Sequence, residues 1–97
     1  MMLCPTPEVT LCDAKGRPYF LWDCDVTLTA FREHLASPDD ERRAYWLAKL
    51  MRQAKPDDAV VIAGLNEIRR LWPRLERALG KQRDFWAWYL DWTDDVH

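Results

Sequence analysis

Two carboxylates separated by one residue, Asp23 and Asp25, stand at the end of the aromatic and apolar run 19–22. Thr27 follows them, where the pattern of the chain becomes helical. An Asp-x-Asp-x-Thr sequence after an apolar run can form a catalytic loop, because paired carboxylates can perform acid/base chemistry. It can equally mark the point where a short strand leads into a helical domain, with acids that cap the first helix or pair with arginines.

The segment Phe20–Leu28 resembles the first motif of the haloacid dehalogenase-like phosphatases, an apolar strand followed by Asp-x-Asp-x-Thr-Leu. The resemblance implies that Asp23 would attack phosphorus, that Asp25 would act as general acid/base, and that Mg²⁺ would offset their charge. That family also needs a parallel sheet with alternating helices, which about 90 residues of mostly helical pattern cannot supply. The acidic pair 57–58 follows a proline and is explained by a helix start. We therefore predict no catalytic residues and a protein that is not an enzyme, and a haloacid dehalogenase-like phosphotransferase is the least favoured alternative.

A helix-turn-helix is the second pattern that could carry a function. Its first helix would be Asp57–Ala63, its turn 64–66, and its recognition helix would begin at Glu67. Arg70 falls where the second helix normally packs an apolar residue, and Pro73 interrupts that helix. A DNA-binding transcriptional regulator is therefore an alternative and not the favoured function. Its candidate contacts are four arginines: Arg69, Arg70, Arg74 and Arg77.

The carboxy-terminal segment Lys81–Trp92 is rich in aromatic residues and predicts a helix. Apolar groups lie on more than one of its faces, so this helix is either enclosed by the fold or partly committed to a partner. At least one tryptophan should be exposed, because those at 86, 88 and 92 cannot all point one way. Exposed Trp is enriched at binding hot spots. The predicted partner-binding residues are Trp86, Trp88, Tyr89 and Trp92.

Composition narrows the class of protein. The 97 residues predict a single domain, 1–97, without room for a second core. A net charge of −2 gives no general attraction to nucleic acid or to an anionic membrane. Three cysteines fit neither a disulfide framework nor zinc-binding pairs, and neither His34 nor His97 has a ligand partner at useful spacing. With no signal-peptide pattern, we expect a cytoplasmic protein that uses no membrane, metal or cofactor.

Turn, cap and proline signals divide the chain into three parts. Residues 1–8 predict an extended arm, 9–22 a small β-hairpin that turns near Gly16, and 27–92 a helical body. The first helix should begin at Thr27 or Thr29 and end near Ala36. The predicted fold class is mainly α: a compact bundle of about five short helices with a small N-terminal β-hairpin.

Single residues mark the ends of the later helices. Ser37 predicts the cap of a second helix that runs to about residue 54, with an apolar stripe on one face. Pro56 starts a third, short helix that Gly64 ends. Asn66 should cap a fourth helix, and Pro73 should kink or divide it before it continues to residue 80.

Four segments together are similar to a family of small bacterial proteins of unknown function: Tyr19–Asp23, Ala44–Met51, Glu67–Leu75 and Phe85–Trp86. Members of that family are usually encoded beside nucleotidyltransferase toxins of the abortive-infection class. The resemblance covers about Arg17–Trp92 and carries no catalytic motif. It implies a small antitoxin-like partner of a nucleotidyltransferase toxin. The leading prediction is therefore a cytoplasmic protein-interaction domain, with a homodimer as a further option.

Overall fold

Helices form most of residues 3–94, the part of the chain that the computed structural model describes. The prediction of a mainly α fold is confirmed. Within that part, two 3-10 turns, Tyr19–Leu21 and Gly80–Gln82, accompany seven α-helices. These are Glu8–Leu11 (α1), Leu28–Leu35 (α2), Asp40–Gln53 (α3), Pro56–Ala63 (α4), Leu65–Arg70 (α5), Trp72–Leu75 (α6) and Arg83–Asp94 (α7).

Helix α3 lies at the centre of the core and packs against α2, α4, α6 and the first 3-10 turn. Four residues of its predicted apolar stripe, Ala44, Leu47, Leu50 and Met51, are buried, whereas the fifth, Ala54, follows the helix as its C-cap and is only partly buried. Contact between these apolar residues and the neighbouring elements removes their surface from water. The largest fully buried side chains from other parts of the chain are Phe20, Leu21, Phe31, Ile68, Leu75, Leu79 and Trp86.

The predicted β-hairpin over residues 9–22 is wrong. In this segment one isolated antiparallel bridge joins Cys12 and Pro18, between α1 and the first 3-10 turn. The turn is held by the Asp13 carboxylate, which accepts two backbone N–H groups at 2.9 and 3.0 Å. Pro18 has no N–H with which to extend a ladder. The chain turns immediately after it, which places Phe20 in the core.

The residues that start α2 and α3 are only partly those predicted. Thr27 caps α2, since its hydroxyl accepts the backbone N–H of Ala30 at 3.2 Å. The predicted Ser37 cap of α3 is wrong: Asp39 is the cap and accepts the N–H of Glu41 at 3.0 Å. The hydroxyl of Ser37 accepts the N–H of Asp39 instead, at 3.2 Å. It therefore stabilises the turn before the helix, and α3 begins later than predicted.

Glycine and proline divide the second half of the chain largely as predicted. Gly64 ends α4 at a φ of +88° and donates its N–H to the carbonyl oxygen of Val60 at 2.8 Å. The same glycine leads directly into α5, so the predicted capping role of Asn66, inside that helix, is wrong. Two short helices meet beside Pro73, as predicted. The predicted continuation to residue 80 is wrong, because the chain leaves helical geometry after Leu75.

Residues 3–7 have no regular secondary structure and are bonded to the start of α4. The N–H of Cys4 donates to Asp57 at 2.8 Å. Thr6 donates its N–H and its hydroxyl to the two oxygens of Asp58, both at 2.6 Å. Tyr19 adds a third donor to the buried Asp58 at 2.6 Å. Residues 1 and 2 of the predicted arm lie outside the described residues.

Candidate protein-binding surface

Helix α7 contacts the core through one face. Trp86 is fully buried, and Tyr89, Leu90 and Thr93 are buried beside it. The indole Nε1 of Trp86 donates to the backbone carbonyl oxygen of Met51 at 3.1 Å, so its polar atom is satisfied inside the protein. This face fixes the orientation of α7 and determines which of its aromatic side chains reach the surface.

The opposite face of α7 carries three exposed aromatic rings. Phe85 is 36% exposed, Trp88 58% and Trp92 39%. Their spacing of three and four residues puts them on one side of the helix. The rings of Trp88 and Trp92 are stacked, with centroids 6.0 Å apart and planes 11° apart. We call Phe85, Trp88 and Trp92 the aromatic ridge.

Two of the four predicted partner-binding residues do not lie on this ridge. Trp86 is 0% exposed and Tyr89 only 7%, so both belong to the core. As direct contacts for a partner, these two predictions need correction, because their surface is already packed against the rest of the chain. Trp88 and Trp92 are on the ridge, and the prediction that at least one tryptophan of this helix is exposed is confirmed. Phe85 was missed, although its i, i+3, i+7 relationship with the two tryptophans is visible in the sequence.

A cavity of about 290 Å³ lies between α7 and the helices α5 and α6. Trp72, Ala87 and Leu90 supply apolar lining, while Arg69 and Asp91 supply polar groups. Asp91 lies one turn after Trp88 on the surface of α7, so the cavity meets the aromatic ridge at this residue. An opening of this size can accept a side chain of a bound partner.

Arg69 is directed towards α7 and not towards solvent. Its guanidinium donates to the hydroxyl of Thr93 at 2.6 Å and to the carbonyl oxygen of Leu90 at 3.3 Å. It therefore helps to hold the end of α7 against α5. This contact joins residues more than twenty positions apart and has no local signal in the sequence.

The other predicted nucleic-acid contacts are mostly paired with acids. Arg70 bonds to Glu67 at 3.0 Å and to Asp40 at 3.2 Å, and these acids raise its pKa, Glu67 most strongly. Arg74 bonds to Glu41 at 3.2 Å. Arg77 is exposed. Most of the positive charge of this predicted basic face is thus offset by neighbouring carboxylates.

The segment proposed as a helix-turn-helix has a different geometry from that predicted. Gly64 alone separates α4 from α5, whereas the prediction placed a three-residue turn at 64–66. The helix that follows ends at Arg70, and α6 begins in a new direction at Trp72. A recognition helix needs a longer continuous face to reach several bases in the major groove.

The two acids of the opening motif have separate partners. Asp23 bonds to the buried Lys49 at 2.6 Å, a contact that lowers the pKa of Asp23. Asp25 lies 3.3 Å from Arg17. Pairing with arginine is thus confirmed for Asp25 and wrong for Asp23, and the capping role belongs to Thr27. The loop that contains Asp23 and Asp25 is therefore bonded both to α3 and to the turn near residue 17.

A second groove, of about 370 Å³, is lined by residues between Thr10 and Cys24. Its lining includes the thiols of Cys12 and Cys24, and burial raises the pKa of both. A raised pKa leaves less thiolate at neutral pH, so these cysteines are poor nucleophiles. Trp22 also lines this groove and is 75% exposed. It is separated from α7 by about 60 residues of sequence.

Among residues 3–94, no group of three or more His, Cys, Asp and Glu side chains is arranged to hold a metal ion. None of the helices in this range combines the length and the apolar character needed to cross a bilayer. Comparison of the chain with protein-family models, curated proteins and solved structures gives no significant match.

Proposed function

We propose that this protein is a protein-interaction domain that binds its partner through the aromatic ridge of α7. The observation that carries the proposal is the exposure of Phe85, Trp88 and Trp92 on one side of a helix whose other side is fixed in the core. Tryptophan contributes large contact areas at interfaces and is the residue type most enriched at their hot spots. Leaving two stacked indoles in water is unfavourable unless a partner covers them.

The cavity beside the ridge adds a second element of an interface. Interfaces combine projecting anchors with pockets that receive anchors from the partner. Trp88 and Trp92 supply the projecting groups, and the cavity lined by Trp72 and Leu90 supplies the pocket. The cavity lies beside the ridge, at the edge of α7 that carries Asp91, so a partner that extends over this edge can engage both.

The sequence resemblance supports a particular kind of partner, a nucleotidyltransferase toxin of the abortive-infection class. In that role the protein would be antitoxin-like and would block the toxin sterically or by changing its conformation. A cytoplasmic location is part of this proposal, and the three free cysteines, Cys4, Cys12 and Cys24, suit a reducing compartment. DNA binding is less favoured, because Arg70 and Arg74 would first have to exchange their carboxylate partners for phosphates.

Co-expression with the product of the neighbouring gene, which this proposal expects to be a nucleotidyltransferase toxin, tests the proposal. We expect the toxin to co-purify with the tagged protein and growth to recover. The double variant Trp88→Ala/Trp92→Ala should lower the amount of co-purified toxin by at least about tenfold, since hot-spot truncations cost roughly 2 kcal/mol or more. Trp22→Ala is the matched control, because it removes an exposed tryptophan that belongs neither to α7 nor to the lining of the cavity beside it. Absence of both co-purification and growth recovery would contradict the proposal.

A further inference from the structure

The aromatic ridge is bordered by acidic residues. Asp84 and Asp91 are exposed and lie one turn before and one turn after Trp88 on the surface of α7. Asp84 has one basic neighbour, Arg83, at 3.2 Å, and Arg83 also bonds to Glu76 at 3.1 Å. Asp91 forms no ion pair with any other residue in the range 3–94. The border of the ridge therefore carries negative charge that the protein itself only partly offsets.

The end of α7 adds to this imbalance. A helix carboxy terminus is the negative end of the helix dipole, where basic side chains are stabilising and acidic ones are not. The last turn of α7 contains no basic residue. That turn instead carries the exposed Asp91. Such an arrangement is unfavourable for the isolated helix and is relieved when positive charge approaches from outside.

Resting on the proposed function, we infer that the aromatic ridge binds a partner segment that combines apolar residues with arginine or lysine. Apolar side chains of that segment would cover Phe85 and the cavity beside Trp88. Its cationic groups would pair with Asp84 and Asp91 and stack on the exposed indole faces, which attract cations through the ring quadrupole. Arginine suits both contacts, because its planar guanidinium stacks on aromatic rings and bonds carboxylates in pairs.

The same charges oppose the other surfaces that could cover the ridge. A second copy packed along α7 would bring Asp84 and Asp91 against the same acids, and like charges across an interface are unfavourable. Nucleic acid and anionic lipid would meet that negative border as well. A basic, apolar protein segment is the occupant that satisfies both the rings and the acids.

Two synthetic helical peptides of about five turns provide the test. They share one leucine face and differ only in the flanking positions, which are all arginine or all glutamate. Fluorescence anisotropy of each labelled peptide with the full-length protein should show at least about tenfold tighter binding of the arginine peptide at low salt. The difference should shrink as ionic strength rises towards about 1 M, where charges are screened within about 3 Å.

Variants separate the contributions of rings and acids. Asp84→Asn/Asp91→Asn should reduce the preference for the arginine peptide several-fold, and Trp88→Ala/Trp92→Ala should remove binding of both peptides. Trp22→Ala should leave binding unchanged. The inference is overturned if the arginine peptide does not bind, if the two peptides bind equally, or if sedimentation shows dimers that Trp88→Ala dissociates.

The outcome for this inference can be told apart from that for the proposed function. In one case the ridge variant no longer co-purifies the toxin, but the two peptides bind the wild-type protein equally. This result would support the proposed function and contradict the charge preference. In the other case the protein prefers the arginine peptide strongly but does not co-purify with the toxin. This result would support the inference about the surface and contradict the toxin as its partner.

Discussion

The indole Nε1 of Trp86 donates a hydrogen bond at 3.1 Å to the main-chain carbonyl oxygen of Met51 within the core. Met51 lies in the last turns of α3, where carbonyl groups begin to lack helical partners. One contact thus satisfies a buried N–H and a carbonyl near a helix end. It also connects the helix that carries the aromatic ridge to the central helix of the fold.

Replacing the buried Trp86 should therefore lower the free energy of unfolding, whereas replacing the exposed Trp88 should leave it almost unchanged. Trp86→Ala should lower the free energy of unfolding by about 3–5 kcal/mol through lost burial and a cavity. Trp88→Ala should change it by less than about 0.5 kcal/mol, as for most surface substitutions. Urea denaturation followed by circular dichroism measures both. Equal destabilisation by the two variants would contradict the orientation of α7 described above.

Tyr19 joins the first 3-10 turn to the start of α4 through one hydroxyl group. It donates to Asp58 at 2.6 Å and accepts the backbone N–H of Lys55 at 2.8 Å. Tyr19→Phe leaves both groups without this partner and should lower the free energy of unfolding by about 1–3 kcal/mol. Tyr45→Phe is the matched control, since Tyr45 is well exposed. A loss of stability no larger in Tyr19→Phe than in this control would count against the network.

Acid should weaken the same network. Burial alone would raise the pKa of Asp58, but hydrogen bonds from Thr6 and Tyr19 outweigh it and the pKa falls below the ordinary 3.8. A lowered folded-state pKa contributes stability that is present above the unfolded-state value and is lost as the pH falls through the folded-state value. We expect unfolding free energy measured from pH 6 down to about pH 2 to fall less steeply below about pH 4 in Asp58→Asn than in the wild type. Parallel curves would show that Asp58 does not contribute.

The backbone at Gly64 predicts a strong preference for glycine. Its φ of +88° with ψ of 141° lies in a region that is nearly exclusive to glycine. Gly64→Ala should lower the free energy of unfolding by about 1–3 kcal/mol, although no atom stands within 4 Å of the added methyl group. Gly80→Ala serves as the comparison and should cost less stability, because the φ of Gly80, +54°, is closer to the left-handed region that other residues can enter. Thermal unfolding should place the Gly80 variant between wild type and Gly64→Ala.

Local signals predicted most of the helices. Pro56, Gly64 and Pro73 act through their own backbone geometry, so their effects could be identified without knowledge of the rest of the fold. The apolar stripe of α3 was also identifiable, because only one of its faces is apolar. In these places the sequence and the tertiary structure agree.

The errors occur where distant contacts decide the structure. The hairpin failed because Tyr19 and Phe20 turn towards a carboxylate 39 residues away and a buried core, which no local pattern records. Helix α7 has apolar residues on two faces, so its periodicity could not decide which tryptophan faces inward. The pairing of Arg70 with Asp40 spans 30 residues and removed a predicted basic surface.

The contacts between residues 4–6 and the start of α4 also determine an order of events during synthesis. Thr6 leaves the ribosome early, but the carboxylate that binds it belongs to a residue made 52 positions later. Residues 4–6 therefore cannot dock on α4 until more than half of the described chain has been translated. A polypeptide that ends before Asp58 would lack the acceptor for Thr6, whereas one that extends beyond Asp58 could already form this contact.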